Sequence, residues 1–150
     1  MKVKKLKVPH NKQNRKSFCC SAYSLKSVCD FFKIKTTKNS LVQKCKVTAK
    51  EGANIVDTLE CASSLGLDFE GIEVEDTKGF HREVRQSIDN NQPIIVSLAL
   101  GDRYHACVLT GYDGMFYYFS DPLLGPNHKR HRGETRLLCR YGFRFFPKEA

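Results

Sequence analysis

The 150-residue chain predicts an α+β fold, with N-terminal helices packed on a C-terminal antiparallel sheet. Three observations predict it. Through residues 21 to 88, apolar side chains recur at spacings of three and four, the stripe of a helix with one buried face. From Ile94 onward, short apolar or alternating runs follow one another in the manner of strands. Between two of those runs stands Asp113-Gly114, the strongest short hairpin signal a sequence carries. Helices grouped ahead of antiparallel strands, rather than alternating with them, give the α+β class.

Taken in order, Ala22, Leu25, Val28, Cys29 and Phe32 trace a helix over 21–32, with Ser17 or Ser21 as its N-cap and KIKTTKN as its end. Leu41, Val42 and Cys45 mark a short helix over 40–46. Within EGANIVDTLECASSLGL, the residues Ile55, Val56, Leu59, Ala62 and Leu65 form a second strong stripe, closed by Gly66. GLDFEGIEVED alternates as a half-exposed strand does, and Phe80, Val84 and Ile88 mark a further helix stopped by NNQP. IIVSLAL, residues 94–100, is apolar almost throughout and predicts a strand buried on both faces. YHACVLTGY and MFYYFSDP form the hairpin, and TRLLCRYGFRFFP predicts a last strand with an exposed basic face.

Composition bounds the rest. With 41% hydrophobic and 27% charged residues the chain is globular, not disordered or fibrous, and its length suits one domain over residues 1–150. No apolar run approaches the roughly 20 residues of a membrane span. The start, MKVKKLKVPH, lacks the apolar core of a secretion signal, so a cytoplasmic protein is expected. The net charge of +9 sits at the ends: seven Lys or Arg in residues 1–16, and seven in 129–148 against Glu134 alone. Basic segments over 1–16 and 127–150 would suit nucleic acid or an acidic partner, but solubility explains them without one. The seven cysteines are odd in number and scattered, with no CxxC pair, so reduced thiols are expected, with no disulfide framework, metal or cofactor.

FCCSAYSLKSVCDFFK, residues 18–33, puts Cys19 and Cys20 directly before the first helix. A thiol becomes a nucleophile when its pKa is lowered, and a helix N-terminus and a nearby imidazolium both do this. Cys20 meets the first condition by position. His105 opens a buried strand and Asp121 ends the strand paired with it, so the hairpin can set the two side by side and let the acid orient the imidazole. Cys29, Cys45, Cys61, Cys107 and Cys139 lie on apolar stripes and read as packing; His10, His81, His128 and His131 read as surface residues.

In this order and spacing the sequence resembles the double-glycine leader (bacteriocin-processing) cysteine peptidases, a family of papain-like fold. CSAYSLKSVCDFF matches the family's nucleophile motif from Cys20, with Ala22, Leu25, Val28, Phe31 and Phe32 in register. EGANIVDTLECASSLGL matches its next helix through Gly52, Leu59, Gly66 and Leu67, and QPIIVSLAL its strand after proline. HACVLTGY and SDPLLG match its His and Asp-Pro motifs through His105, Val108, Leu109, Gly111, Asp121, Pro122 and Gly125. The resemblance, over roughly residues 13–125, implies a stand-alone papain-like peptidase acting on a peptide or protein. It implies Cys20 as nucleophile, His105 as general base and Asp121 as the residue orienting it. An oxyanion donor comes from Gln13, seven residues before Cys20, or from Asn14, at the family's usual distance of six. Ser21 stands where the family has Gly, which keeps a second expectation open: a catalytically silent module holding peptides in the same groove.

Overall fold

The protein is described by a computed structural model over residues 3–13, 20–47 and 54–149. Among these residues the elements run β1 (Lys4–Lys5), α1 (Cys20–Phe31), α2 (Lys38–Lys44), α3 (Ile55–Ser64), β2 (Leu67–Gly71), α4 (Thr77–Asp89) and β3 (Ile94–Leu100). They continue with β4 (Arg103–Tyr112), β5 (Phe116–Asp121), β6 (Gly125–His131), α5 (Arg132–Leu138) and β7 (Cys139–Pro147). The strands form one antiparallel sheet in the order β2-β7-β3-β4-β5-β6. β1 joins β4 at Gly111 and Tyr112, beyond Leu109, where the pairing of β3 with that strand stops.

The period of two along β3 explains the layering. Ile94, Val96 and Leu98 pack with Phe80, Val84 and Ile88 of α4. Ile95, between them, packs with Ala22, Leu25 and Val28 of α1 and with Ala106 and Val108 of β4. Helices therefore cover both faces, α1 to α3 on one and α4 on the other, and the continuous apolar run of β3 follows from that double burial.

The predicted helices appear where their stripes place them, except that Val56, read as part of the α3 stripe, is exposed while Thr58 and Cys61 are buried in its stead; the caps show why the helices start where they do. Thr37 accepts from the Ser40 N–H at 3.1 Å, Asn54 from Asp57 at 2.8 Å, and Asp76 from Gly79 at 2.8 Å. Gly66, at φ +90°, takes the left-handed position after α3. Ser21 lies inside α1 and does not cap it, while Ser17 and Gly52 lie outside the described residues.

Two expectations are corrected, and one strand, β6, was not foreseen. TRLLCRYGFRFFP is not one strand: Arg132–Leu138 form α5 and only Cys139–Pro147 extend. The His131 ring caps α5 by accepting from the Gly133 N–H at 3.1 Å, and the Thr135 hydroxyl donates to the His131 carbonyl at 2.9 Å. β6 carries no apolar alternation because it is an edge strand held by its backbone pairing with β5. The strand read in GLDFEGIEVED ends at Gly71, and the chain turns there into the cap of α4.

The basic ends are also built into the sheet. Arg144 of β7 ties to Glu70 of β2 at 3.4 Å and to Glu83 of α4 at 2.9 Å. Lys5 Nζ lies 3.9 Å from the Tyr118 ring centre, and Lys129 Nζ lies 4.6 Å from that of Phe116.

Gly111 shows what lets the N-terminal strand dock. A Cβ there would stand 2.6 Å from the Lys4 carbonyl oxygen and 3.0 Å from the Lys5 Cα, closer than real side chains approach backbone. Gly111→Ala is expected to push β1 off β4 at a cost of about 1–3 kcal/mol. Limited proteolysis checks this: trypsin should cut at Lys4, Lys5 and Lys7 faster than in the parent, and unchanged cutting would contradict it.

Candidate active site

Cys20 is the first residue of α1, where the unpaired N–H groups of a helix favour a thiolate. The helix is seated by its buried face and by Ser24, one turn on, whose hydroxyl donates to the Ala106 carbonyl on β4 at 3.4 Å. That anchor lies next to His105 in the chain, so the helix start and the histidine are held by neighbouring parts of one strand. The His105 ring and the N–H groups of Ala106 and Ser21 stand close enough to the Cys20 sulfur to act on its proton.

The hairpin does the rest. Val108 pairs with Ser120, and continuing that register by one residue sets Asp121 opposite Cys107, diagonal to His105. His105 Nε2 lies 2.7 Å from Asp121 Oδ1, which leaves Nδ1 as the ring nitrogen for the thiol. The same carboxylate oxygen accepts the N–H groups of Leu123 at 2.9 Å and Leu124 at 3.1 Å. Asp121 is wholly buried, and its Oδ2 has no hydrogen-bond partner among the described residues, so the carboxylate's hydrogen bonding is concentrated on the histidine side.

Burial alone would hold the Cys20 proton on; the His105 hydrogen bond, the Ala106 N–H and the His105 charge outweigh it, and the thiol pKa falls below its ordinary value. Burial likewise opposes an imidazolium, yet the hydrogen bonds to Asp121 and Cys20 lift His105 to about 9. For Asp121, burial is overcome by the His105 bond and by the Leu123 and Leu124 N–H groups, leaving it below the usual carboxylate value. The other described cysteines move the opposite way. Burial pushes Cys29, Cys45 and Cys139 up to about 12 and raises Cys61 and Cys107 as well. The structure thus gathers a thiol with a lowered pKa, an imidazole whose cation is favoured and a buried carboxylate, while the other described cysteines are thiols with raised pKa values.

Gln13 is buried, at 6% exposure, and its N–H donates to the Pro122 carbonyl at 2.7 Å, one residue past Asp121. Asn14 and Cys19 lie outside the described residues. Tyr104 is 68% exposed next to His105 in the chain, and Leu123 and Leu124 stand exposed just after Pro122. Ser24 was not legible as a site residue, since it carries no chemistry of its own.

Two histidines expected at the surface are half-buried and bonded. His10 Nδ1 meets Ser120 Oγ at 3.2 Å, and His81 Nδ1 is hydrogen-bonded to the Tyr117 hydroxyl. Among the described residues no group of three or more His, Cys, Asp or Glu is placed to hold a metal ion, and no helix is long and apolar enough to cross a membrane.

The fold is shared with solved structures. A double glycine motif protease from an AMS/PCAT transporter, solved in complex with its leader peptide, is similar at 23% identity and a TM-score of 0.76, over 97% of this chain and 95% of that one. The peptidase domain of Streptococcus ComA, a bi-functional ABC transporter of a quorum-sensing pathway, is similar at 18% identity and a TM-score of 0.73, over 95% of this chain and 98% of that one. A C39-like peptidase from Bacillus anthracis matches over 100% of both chains at 14% identity and a TM-score of 0.76. A search of curated protein sequences finds no match. The family model that matches spans residues 5–138, from β1 through α5, and with it this chain belongs to the Peptidase_C39 like family.

Proposed function

We propose that the protein is a cysteine peptidase that cleaves a peptide bond through an acyl-enzyme intermediate. Family and fold support peptidase-type function. The observation that carries the mechanism is the His105 ring held between the Cys20 thiol and the Asp121 carboxylate. The Cys20 thiolate attacks the scissile carbonyl carbon, and the C=O electron pair moves onto oxygen. Gln13 and the Cys20 backbone N–H are the proposed donors to that oxyanion. The imidazolium of His105 then protonates the leaving amine as the C–N bond breaks, leaving a thioester. Neutral His105 takes a proton from water, whose oxygen attacks the thioester; the acid departs and the thiol pair is restored. Asp121 orients the ring and stabilises its cationic form. The leader peptide bound to one similar protease supports a peptide as substrate, and the exposed Tyr104, Leu123 and Leu124 are the proposed apolar contacts for it.

The pKa directions fix the expected pH dependence. The active pair needs Cys20 ionised and His105 protonated, so activity rises as Cys20 loses its proton, below the ordinary thiol pKa, and falls as His105 deprotonates at about 9. Iodoacetamide alkylation read by mass spectrometry checks the acid limb: Cys20 should react at pH 7 at least ~10-fold faster than Cys29 or Cys139. Equal rates among these thiols would overturn the proposal.

Ser21 favours a second reading, a silent peptide-binding module. It places a side chain in the first turn of α1, where the backbone meets a substrate carbonyl.

A further inference from the structure

Residues 10–13 run as a strap between α1, which begins with Cys20, and the end of β5, which carries Asp121. On one side His10 Nδ1 meets Ser120 Oγ at 3.2 Å and the Gln13 N–H donates to Pro122 O at 2.7 Å, so the strap holds the chain on both sides of Asp121. On the other side stands Asn11, 8% exposed. Its Nδ2 donates to Ser27 Oγ at 3.0 Å and to Asp30 Oδ2 at 3.1 Å, both on α1, while Asp30 Oδ1 holds Lys26. Both amide protons of Asn11 are thus spent on the helix that begins with Cys20.

The helical period gives these bonds their meaning. Ser24 and Ser27 lie four and seven residues after Cys20 and share its face of α1. Ser24 ties that face to β4 beside His105, and Ser27 ties it to the strap that ends against β5 beside Asp121. Rotation or sliding of α1 relative to the hairpin would carry Cys20 away from the imidazole, and one bond alone leaves such a motion open.

We propose that Asn11 is a positioning residue for the thiol chemistry: by bonding Ser27 and Asp30 while its own strap is fixed to Ser120 and Pro122, it sets the position of α1 relative to the end of β5. The inference rests on the reading of Cys20 as an activated nucleophile. Asn11 touches no reacting atom; it acts through the helix, and through Gln13 two residues on. Misplacement of a reacting group by about 1 Å costs up to ~100-fold in rate, so a partial loosening is expected to cost roughly 10-fold.

The test uses the full chain and iodoacetamide, which needs no knowledge of the natural substrate. In Asn11→Ala, alkylation of Cys20 at pH 7 should slow roughly 10-fold and its pH profile should move upward, toward that of an unassisted thiol. Cys29, buried in the same helix, reports folding in the same spectrum. A merely structural Asn11 would speed alkylation of Cys29 and leave the Cys20 profile in place, and that result would overturn the proposal. The exchange Asn11→Asp with Asp30→Asn reverses donor and acceptor while keeping the bond, and should restore the Cys20 rate to within a few-fold. Should Asn11→Ala fail to fold, Ser27→Ala removes one acceptor from an intact helix, and an unchanged Cys20 profile there overturns the proposal equally. If Cys20 of the parent protein reacts no faster than Cys29, the nucleophile reading itself falls. If the parent is fast and the variants are equally fast, only the role of Asn11 falls.

Discussion

Cys20→Ala is expected to abolish peptide cleavage, by about 10⁴-fold or more, with the fold intact. The size follows from the chemistry: without the sulfur no acyl-enzyme forms, and what remains is the weak help of oxyanion donors and binding. The intact fold follows from the position. Cys20 is only part-buried at the start of α1, and the helix is held by Ala22, Leu25, Val28 and the Ser24 anchor, none of which the substitution touches. Incubation with a pool of synthetic peptides, read by mass spectrometry, compares the variant with the parent. The same pair of proteins separates an enzyme from a binding module. A parent that cleaves nothing, and a variant that binds the same peptides as tightly, would place the function in the groove and not in the thiol.

Phe145→Ala is expected to produce the largest loss of stability from a single core site, about 3–5 kcal/mol. Phe145 is fully buried on β7, in the cluster shared with Leu25, Val28, Leu67, Ile95 and Val108. Its ring lies 6.3 Å from that of Phe69 on β2, and its N–H donates to Pro93 O at 3.0 Å. Truncation opens a cavity between the sheet and the helical layer that carries Cys20, and close-packed neighbours on four elements collapse into it only partly. Against a total stability of about 5–15 kcal/mol the loss is large. Thermal unfolding should shift down by roughly 10 °C; a shift of one or two degrees would show that the layer repacks. Because α1 belongs to this layer, Cys20 alkylation should slow in the same variant before global unfolding sets in.

Much of this was legible in the residues, for identifiable reasons. α1, α3 and α4 bury one face each, so their stripes had to repeat at helical spacing. β3 is buried on both sides, so it had to be apolar throughout. β4 and β5 meet through the short connection Asp113-Gly114-Met115, whose chemistry is local, and that turn is what made the pairing of His105 with Asp121 readable. Elements whose stability is not local left no such mark. β6 shows no alternation because its pairing is backbone to backbone, and α5 looked like strand because its cap, His131, is not an ordinary capping residue. β1 is two residues long and exists because Gly111 opposes it.

The sequence by itself determined the residue types of the candidate site and the elements that bear them: a thiol before a helix, a histidine opening one strand of a hairpin and an acid ending the other. These depend on periodicity and turn chemistry, which act over a few residues. Only the tertiary structure decided that the Cys20 sulfur reaches His105, that Asp121 is buried with its bonds turned to the histidine, and that residues 10–13 bind both α1 and β5. Those are contacts between segments far apart in the chain, set by how two layers pack. No local preference encodes the distance between a helix end and a strand end.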